Sequence, residues 1–276
     1  MADEQPAGVT RRAIHPAFES SKYSGWPEEA SARAEQVMEA HGGWRAWESL
    51  GAVKIEVDHV GGLLWRAKGA GRTFPPPHRF EVTPRRQSVT FPSWPSRSAT
   101  TCFESGSVAI DGDKALPPLT PSGRLLFDGA KPWTAWTPPM AAYFVGYSMA
   151  NYHALPFLIA FCELHSFRIR ARGGATWKLK LPNGLDAHAR LLTVIADPDG
   201  RLSTLRYNAD VVGRLPRVVH AMSDWYTVRG VRFPRRRVVR PSLAGVPVGP
   251  AAIETRFTFP DANGTEPPAT PGSATT

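Results

Sequence analysis

Residues 167–181 read FRIRARGGATWKLKL, and this stretch carries the pattern that decides the fold. Apolar residues alternate with arginines up to residue 172, and Trp177, Leu179 and Leu181 then alternate with lysines. Alternation with a period of two gives a strand one apolar and one charged face, which is typical of antiparallel sheet. The pair Gly173-Gly174 predicts the turn between the two strands.

The same alternation recurs near both ends of the chain. Near the start, Val53, Ile55 and Val57 alternate with charged residues, and Ile253, Phe257 and Phe259 do so near the end. Turn signals separate further strands, at residues 61–62, 111–113, 183–184 and 197–200. The 24 glycines and 27 prolines among 276 residues also favour many turns over long helices. The sequence therefore predicts a mainly β (α+β) fold with one apolar sheet face.

A helix pair precedes the strands. Pro27 suits a first helical position, and Ala30, Ala34, Val37 and Met38 follow at helical spacing before Gly42-Gly43. A second short helix is predicted from Trp44 to Leu50. The apolar stripe of this pair needs the sheet as its partner.

An aromatic-rich segment from Trp133 to Phe161 interrupts the β pattern. Pro138-Pro139 predicts the start of a helix that runs to about Ala154. This helix is apolar on nearly all sides, so we expect it to be buried or to lie at the opening of the half-barrel. The segment has two equal interpretations: an insertion that plugs the sheet, or a lid or lining of an apolar cavity. On the second, the candidate ligand-binding residues are Trp133, Trp136, Tyr143, Phe144, Tyr147, Tyr152 and Phe157.

Composition sets the expected domain division and location. We expect a poorly ordered lead-in over residues 1–26, one domain over 27–259 and a disordered tail over 260–276. The start carries acids rather than an export signal, and no apolar run is long enough to span a membrane. Cys102 and Cys162 form no paired motif and fit free thiols. A cytoplasmic protein is therefore expected.

The net charge of +9 raises the question of an anionic partner. The arginines are spread along the chain, which favours solvated outer strand faces and leaves weak contact with an anionic surface as an alternative. Without a nucleic-acid fold motif we expect no nucleic-acid partner. The histidines show no metal-ligand spacing, so neither a metal nor a cofactor is expected.

Several segments resemble a group of bacterial, largely actinobacterial proteins. The resemblance rests on residues 41–47 (HGGWRAW), residues 142–149 (AYFVGYSM) and residues 230–237 (GVRFPRRR). Proteins of this kind resemble the lipoprotein-carrier (Lol-type) superfamily. That resemblance implies a half-barrel in which a strongly curved antiparallel sheet wraps an N-terminal helix. It also implies that the hollow holds acyl chains.

Four residues of the later strands are candidates for acid–base chemistry: His188, His220, Tyr207 and Asp210. If the strands around the Asp199-Gly200 turn pair, His188 and Tyr207 come close together. Two imidazoles with a phenol or carboxylate suffice for proton transfer. The alternative is that these side chains only satisfy backbone groups in a curved sheet.

The leading hypothesis is a cytosolic protein that binds a hydrophobic small molecule, lipid-like or polyketide-like, in an apolar half-barrel cavity. The alternative is an enzyme of secondary metabolism, of isomerase or cyclase type, that uses the same cavity with histidine acid–base residues. A third hypothesis is an interaction protein that uses its basic outer face.

Overall fold

The computed structural model describes residues 14–69, 75–112, 122–131, 134–210 and 217–260. Its α-helices are α1 (Glu28–Ala40), α2 (Gly43–Ser49), α3 (Leu63–Ala67) and α4 (Pro138–Leu158). Its strands are β1 (Val53–Gly61), β2 (Arg79–Thr83), β3 (Ser88–Pro92), β4 (Thr100–Glu104), β5 (Ser107–Asp111), β6 (Glu163–Ile169), β7 (Ala175–Lys180), β8 (Leu191–Ala196), β9 (Leu202–Asn208), β10 (Arg217–Val228), β11 (Val231–Leu243), β12 (Val246–Pro247) and β13 (Ile253–Thr258).

All the strands form one antiparallel sheet. Their order is β5-β4-β3-β2-β1-β13-β11-β10-β9-β8-β7-β6, and the short β12 pairs with β11 alone. Most neighbours in this order are also neighbours in the chain, because short turns connect them. The exception is the centre, where β13 lies between β1 and β11. The mainly β, antiparallel prediction is confirmed.

The sheet curves strongly around α4. Rings of this helix contact Phe103 on β4, His220 on β10 and Phe257 on β13. On a flat sheet β4 and β10 would lie about 29 Å apart, since six strand spacings separate them. The two contacts come from Tyr143 and Tyr152, which are about 14 Å apart along the helix axis. This separation is about half of that between the two strands in a flat sheet, which agrees with a sheet that curves around the helix.

The N-terminal helix pair also lies inside the curve, as the sequence predicts. Ala30, Ala34, Val37 and Met38 of α1 are fully buried. Trp177 on β7 donates its indole N–H to the carbonyl of Ala30 at 3.3 Å. The predicted alternation on β7 thus serves to pack α1, which occupies one end of the hollow.

The helix α4 runs one turn beyond its predicted end. Pro156 lies inside it, and a proline has no N–H to donate to the carbonyl four residues earlier, that of Tyr152. Arg237 of β11 supplies the missing donor, with its Nη2 2.9 Å from the Tyr152 carbonyl oxygen. The sheet thus repairs the gap that the proline leaves in the helix.

One predicted apolar face is not buried. Phe167 on β6 is only half-buried, and Ile169 and Ala171 are exposed. The reason is that β6 is the last strand in the described part of the sheet, where it pairs with β7 alone. The alternation identified the strand correctly, but the expectation of a fully dry face was wrong.

The segment before α1 is described from residue 14 onward. His15 donates its backbone N–H to Arg85 O, and Tyr23 donates its own to Ala160 O. The ring of Phe18 packs against those of Trp47 and Phe161. Residues 261–276, most of the predicted tail, lie outside the described ranges. The predicted domain division stays a prediction.

Candidate functional site

The candidate ligand-binding residues divide into two groups in the structure. Phe157 stacks on Trp47, with ring centroids 4.6 Å apart and planes 5° apart, and Tyr143 donates to Asp186 Oδ1 at 2.5 Å. These two side chains hold α4 in the core. A second group lies around His188 or lines a cavity and consists of Phe144, Tyr147 and Tyr152. Trp136 does neither, since it is buried and packs on Phe144, with ring centroids 4.6 Å apart. Trp133 lies outside the described residues.

His188 is the centre of a buried hydroxyl network. Its Nδ1 lies 3.0 Å from the Tyr147 hydroxyl, and its Nε2 lies 2.8 Å from the Tyr152 hydroxyl and 3.2 Å from Ser148 Oγ. Its ring stacks on that of Tyr207, with planes 7° apart. Three of these partners come from α4, while Tyr207 comes from β9.

One arrangement of protons satisfies this network. Ser148 donates its hydroxyl proton to the Phe144 carbonyl, so its oxygen can only accept from His188. We therefore assign the proton of the neutral imidazole to Nε2, which leaves Nδ1 to accept from Tyr147. The Tyr152 hydroxyl is then free to donate to that of Tyr207, 3.5 Å away.

A second histidine lies beside a buried arginine. His220 and Arg237 are 0% and 2% exposed, on the paired strands β10 and β11. Arg237 Nη1 lies 3.5 Å from His220 Nε2, and the guanidinium lies 4.6 Å from the centre of the Tyr152 ring. The rings of Tyr152 and His220 meet edge to face at 4.7 Å. The two histidine groups are thus joined through Tyr152.

Burial controls the protonation of this cluster. Desolvation, together with the smaller effect of the charge of Arg124, lowers the pKa of His188 to about 3. Desolvation, followed by the charge of Arg237, also lowers the pKa of His220. Burial lowers the pKa of Arg237 to about 10, so the guanidinium remains charged at neutral pH. The site therefore holds neutral imidazoles and one positive charge.

Two adjoining cavities lie between the inner sheet face and the helices. The larger one has a volume of about 240 Å³, and its walls include His188 and Tyr207. The smaller one has a volume of about 50 Å³, and its walls include Tyr152, His220 and Arg237. The two cavities share three apolar wall residues, Phe144, Val239 and Ile253. The walls of both are almost entirely apolar.

The helix α3 forms part of the wall of the larger cavity. Leu63 and Leu64 of this helix line it together with Val218 of β10. The backbone N–H groups of both leucines donate to the segment before β13, at 3.0 Å to Ala251 O and Ala252 O. This short helix was not predicted, since five residues give too little periodicity to identify one.

Of the four acid–base candidates, three come together and one does not. His188, Tyr207 and His220 all belong to the cluster. Asp210 is exposed and meets His188 only through its backbone N–H, which donates to the His188 carbonyl at 2.9 Å. Its carboxylate does not join the cluster, because Asp210 lies beyond the end of β9 at Asn208 and its side chain is exposed.

Sequence reasoning missed Arg237. The residue belongs to the triplet of arginines at 235–237, which lies within the resembling segment 230–237 and was not among the candidate site residues. A signal was present, since Arg237 has the same parity as Phe233 and Val239, two inward-facing residues of β11. An arginine on the apolar face of a strand is a feature that single-sequence reading can find.

The described residues contain no group of three or more His, Cys, Asp or Glu side chains that could hold a metal ion. Among the same residues, no helix combines the length and the apolar character that a membrane crossing requires.

Comparison with known proteins finds a structural likeness and no sequence match. No family model matches the chain, and no curated protein matches it. A crystal structure of a LolA superfamily protein from Nitrosomonas europaea aligns with a TM-score of 0.42 and 12% sequence identity. The alignment covers 83% of this chain and 91% of that one. A likeness at this TM-score establishes neither a family nor a shared function.

Proposed function

We propose that the protein binds a hydrophobic small molecule in the larger cavity. The observation that carries this proposal is the apolar space of about 240 Å³ that remains after α1 and α4 have filled most of the hollow. The cavity is partly open to solvent, so its apolar walls face water. A ligand that covers these walls removes apolar surface from water, so binding is the use that this geometry supports best.

The volume favours a short chain. Sites for drug-sized ligands have volumes of about 300–1,000 Å³, and this cavity is slightly smaller. Of the two classes considered, lipid-like and polyketide-like, the size supports the first, as a single acyl-type chain. Each buried methylene contributes about 0.8 kcal/mol, so affinity should rise about fourfold per methylene until the chain exceeds the cavity.

A matched pair of variants on β10 tests the proposal. Val218 lines the cavity, whereas Ala221 on the same strand is exposed. We expect Val218→Phe to fill the cavity and to weaken binding of 1-octanol at least tenfold, while Ala221→Phe leaves it unchanged. Calorimetric titration of a series from 1-butanol to 1-decanol measures both effects. Equal affinity of the two variants, or no dependence on chain length, would refute the cavity as the site.

Native mass spectrometry of freshly purified protein, followed by organic extraction, identifies a molecule bound in the cell. The proposal predicts a co-purified apolar molecule in the wild-type protein that Val218→Phe has lost. The cytoplasmic location and weak contact with anionic surfaces stay predictions.

Proton-transfer catalysis in the same cavity is a second candidate, because His188 and Tyr207 line its wall. A general base works best with a pKa near the working pH, and that of His188 is lowered to about 3. The geometry therefore supports binding more than catalysis. Hydrogen–deuterium exchange at acidic carbons of a bound ketone, lost in His188→Gln, would support the enzyme instead.

A further inference from the structure

We infer that the ligand is an apolar monocarboxylate, with its chain in the larger cavity and its carboxylate on Arg237 in the smaller one. The inference deepens the proposed function and rests on it. It starts from a buried positive charge. Among the described residues, no carboxylate pairs with the Arg237 guanidinium, which is 2% exposed.

The protein uses only part of what this guanidinium can donate. Nη2 donates to the Tyr152 carbonyl and Nη1 faces His220 Nε2, while Nε is buried without an acceptor. Repair of the helix at Pro156 needs one neutral donor and not a charge. An unpaired buried charge costs folding free energy, so its presence calls for a partner of opposite charge.

His220 supplies a second unused donor beside the first. If its Nε2 accepts from Arg237, the neutral ring carries its proton on Nδ1. That atom is also buried without an acceptor. Arg237 and His220 both line the smaller cavity, and each keeps one buried N–H group for which the described protein provides no acceptor. Both N–H groups are covered in the empty protein, so the proposal includes a small side-chain rotation that turns them toward the ligand. Two donors match the two oxygens of a carboxylate.

The surroundings define the rest of the ligand. The smaller cavity, at about 50 Å³, has room for a head group of a few atoms and not for a chain. The larger cavity adjoins it along Phe144, Val239 and Ile253. A phosphate would leave charged oxygens against these apolar walls. A carboxylate that ends an alkyl chain presents its charge only at Arg237.

Three probes of equal chain length test the inference: octanoate, 1-octanol and octylamine, titrated calorimetrically into the full chain at pH 7.5. A charge-assisted hydrogen bond should make octanoate bind about tenfold to a hundredfold tighter than 1-octanol, with octylamine weakest. Equal affinity for octanoate and 1-octanol would overturn the inference while leaving the proposed function intact. If none of the three binds, the proposed function fails as well.

Variants at two adjacent arginines separate ligand binding from structure. Arg237→Met should lower the octanoate affinity to that of 1-octanol, without a change in 1-octanol binding. Arg236→Met is the matched control, since Arg236 is exposed and pairs with Glu254, and it should keep the preference. An equal loss of both ligands in Arg237→Met would assign Arg237 a structural role only. Arg237→Gln, which keeps a donor for the Tyr152 carbonyl, gives the same comparison if the methionine variant does not fold.

Discussion

Acidification from pH 7.5 to pH 5 should destabilise this protein severely, because its buried histidines are neutral in the folded state. Desolvation lowers the pKa of His41 to about 4, and those of His153 and His188 to about 3. Their usual value, 6.5, applies to the unfolded chain. Below pH 6.5 the unfolded chain therefore takes up protons that the folded protein cannot accept. Stability is complete above pH 6.5 and falls as the pH falls.

The size of the effect follows from these values. Each histidine costs about 1.36 kcal/mol per pH unit below 6.5, or about 2 kcal/mol at pH 5. The three together cost about 6 kcal/mol, which is comparable to the whole stability of an ordinary protein, about 5–15 kcal/mol. His220, whose pKa is also lowered, adds to the loss. The pKa values of Glu163 and Glu254 are lowered from 4.5, so the protonation of these carboxylates affects stability only below the range from pH 7.5 to pH 5.

Urea unfolding followed by circular dichroism at pH 7.5, 6.5, 5.5 and 5.0, at constant ionic strength, measures the loss. His153→Leu removes one histidine from the apolar site formed by Phe233, Phe257 and Phe259. The free energy of unfolding of this variant should fall by about 2 kcal/mol less than that of the wild type over the same pH range. His165→Gln, at an exposed position, should follow the wild type. Equal losses in His153→Leu and the wild type, or a wild-type loss below about 2 kcal/mol, would refute the reasoning.

Three further predictions concern packing and thiol chemistry. Trp47→Ala should lower the free energy of unfolding by about 3–5 kcal/mol, because it removes the ring stacked on Phe157. Urea unfolding measures this loss, and it should be smaller in the control variant Trp47→Phe, which keeps an aromatic ring at this position. Gly146→Ala should cost about 1–3 kcal/mol, because the added Cβ would lie 2.4 Å from the Phe103 ring; an unchanged urea midpoint would contradict this close approach. Iodoacetamide at pH 8 should modify only the exposed Cys102 of the folded protein, because burial raises the pKa of the Cys162 thiol. Mass spectrometry should find one label on the folded protein and two labels after unfolding. Two labels on the folded protein would disprove the burial of Cys162.

The fold was predictable from the sequence because its signals are local. Alternation in β7 and β13 and the spacing of alanines in α1 each specify an element and its buried face. The helix α4 was predictable for the same reason, since it is apolar on all sides and has to be buried. Its exact end was not predictable, because Pro156 would normally stop a helix. A residue from a distant strand, Arg237, removes that penalty.

The candidate site was predictable only in part. His188 and Tyr207 were expected to approach each other, and their rings stack in the structure. That His220 joins them was not predicted; it lies on β10, which pairs with β9. The register between β10 and β11 places Arg237 opposite Met222, next to His220 along the inner face. That register depends on the whole sheet and cannot be determined from one segment. The exposure of the Asp210 carboxylate was also not predictable, because it depends on where β9 ends. The end of a strand is the least certain feature of a local sequence pattern.

The position of β13 between β1 and β11 has a consequence for how the protein is made. Thr258 donates its hydroxyl to the Asp58 carboxylate at 2.7 Å, across a separation of 200 residues. At about 5–20 residues per second, a ribosome needs roughly 10–40 s to synthesise that length of chain. Throughout this interval the edge of β1 that β13 will cover is unpaired, and such edges are templates for association with other chains. The nascent protein should therefore depend on chaperones until its last strand emerges.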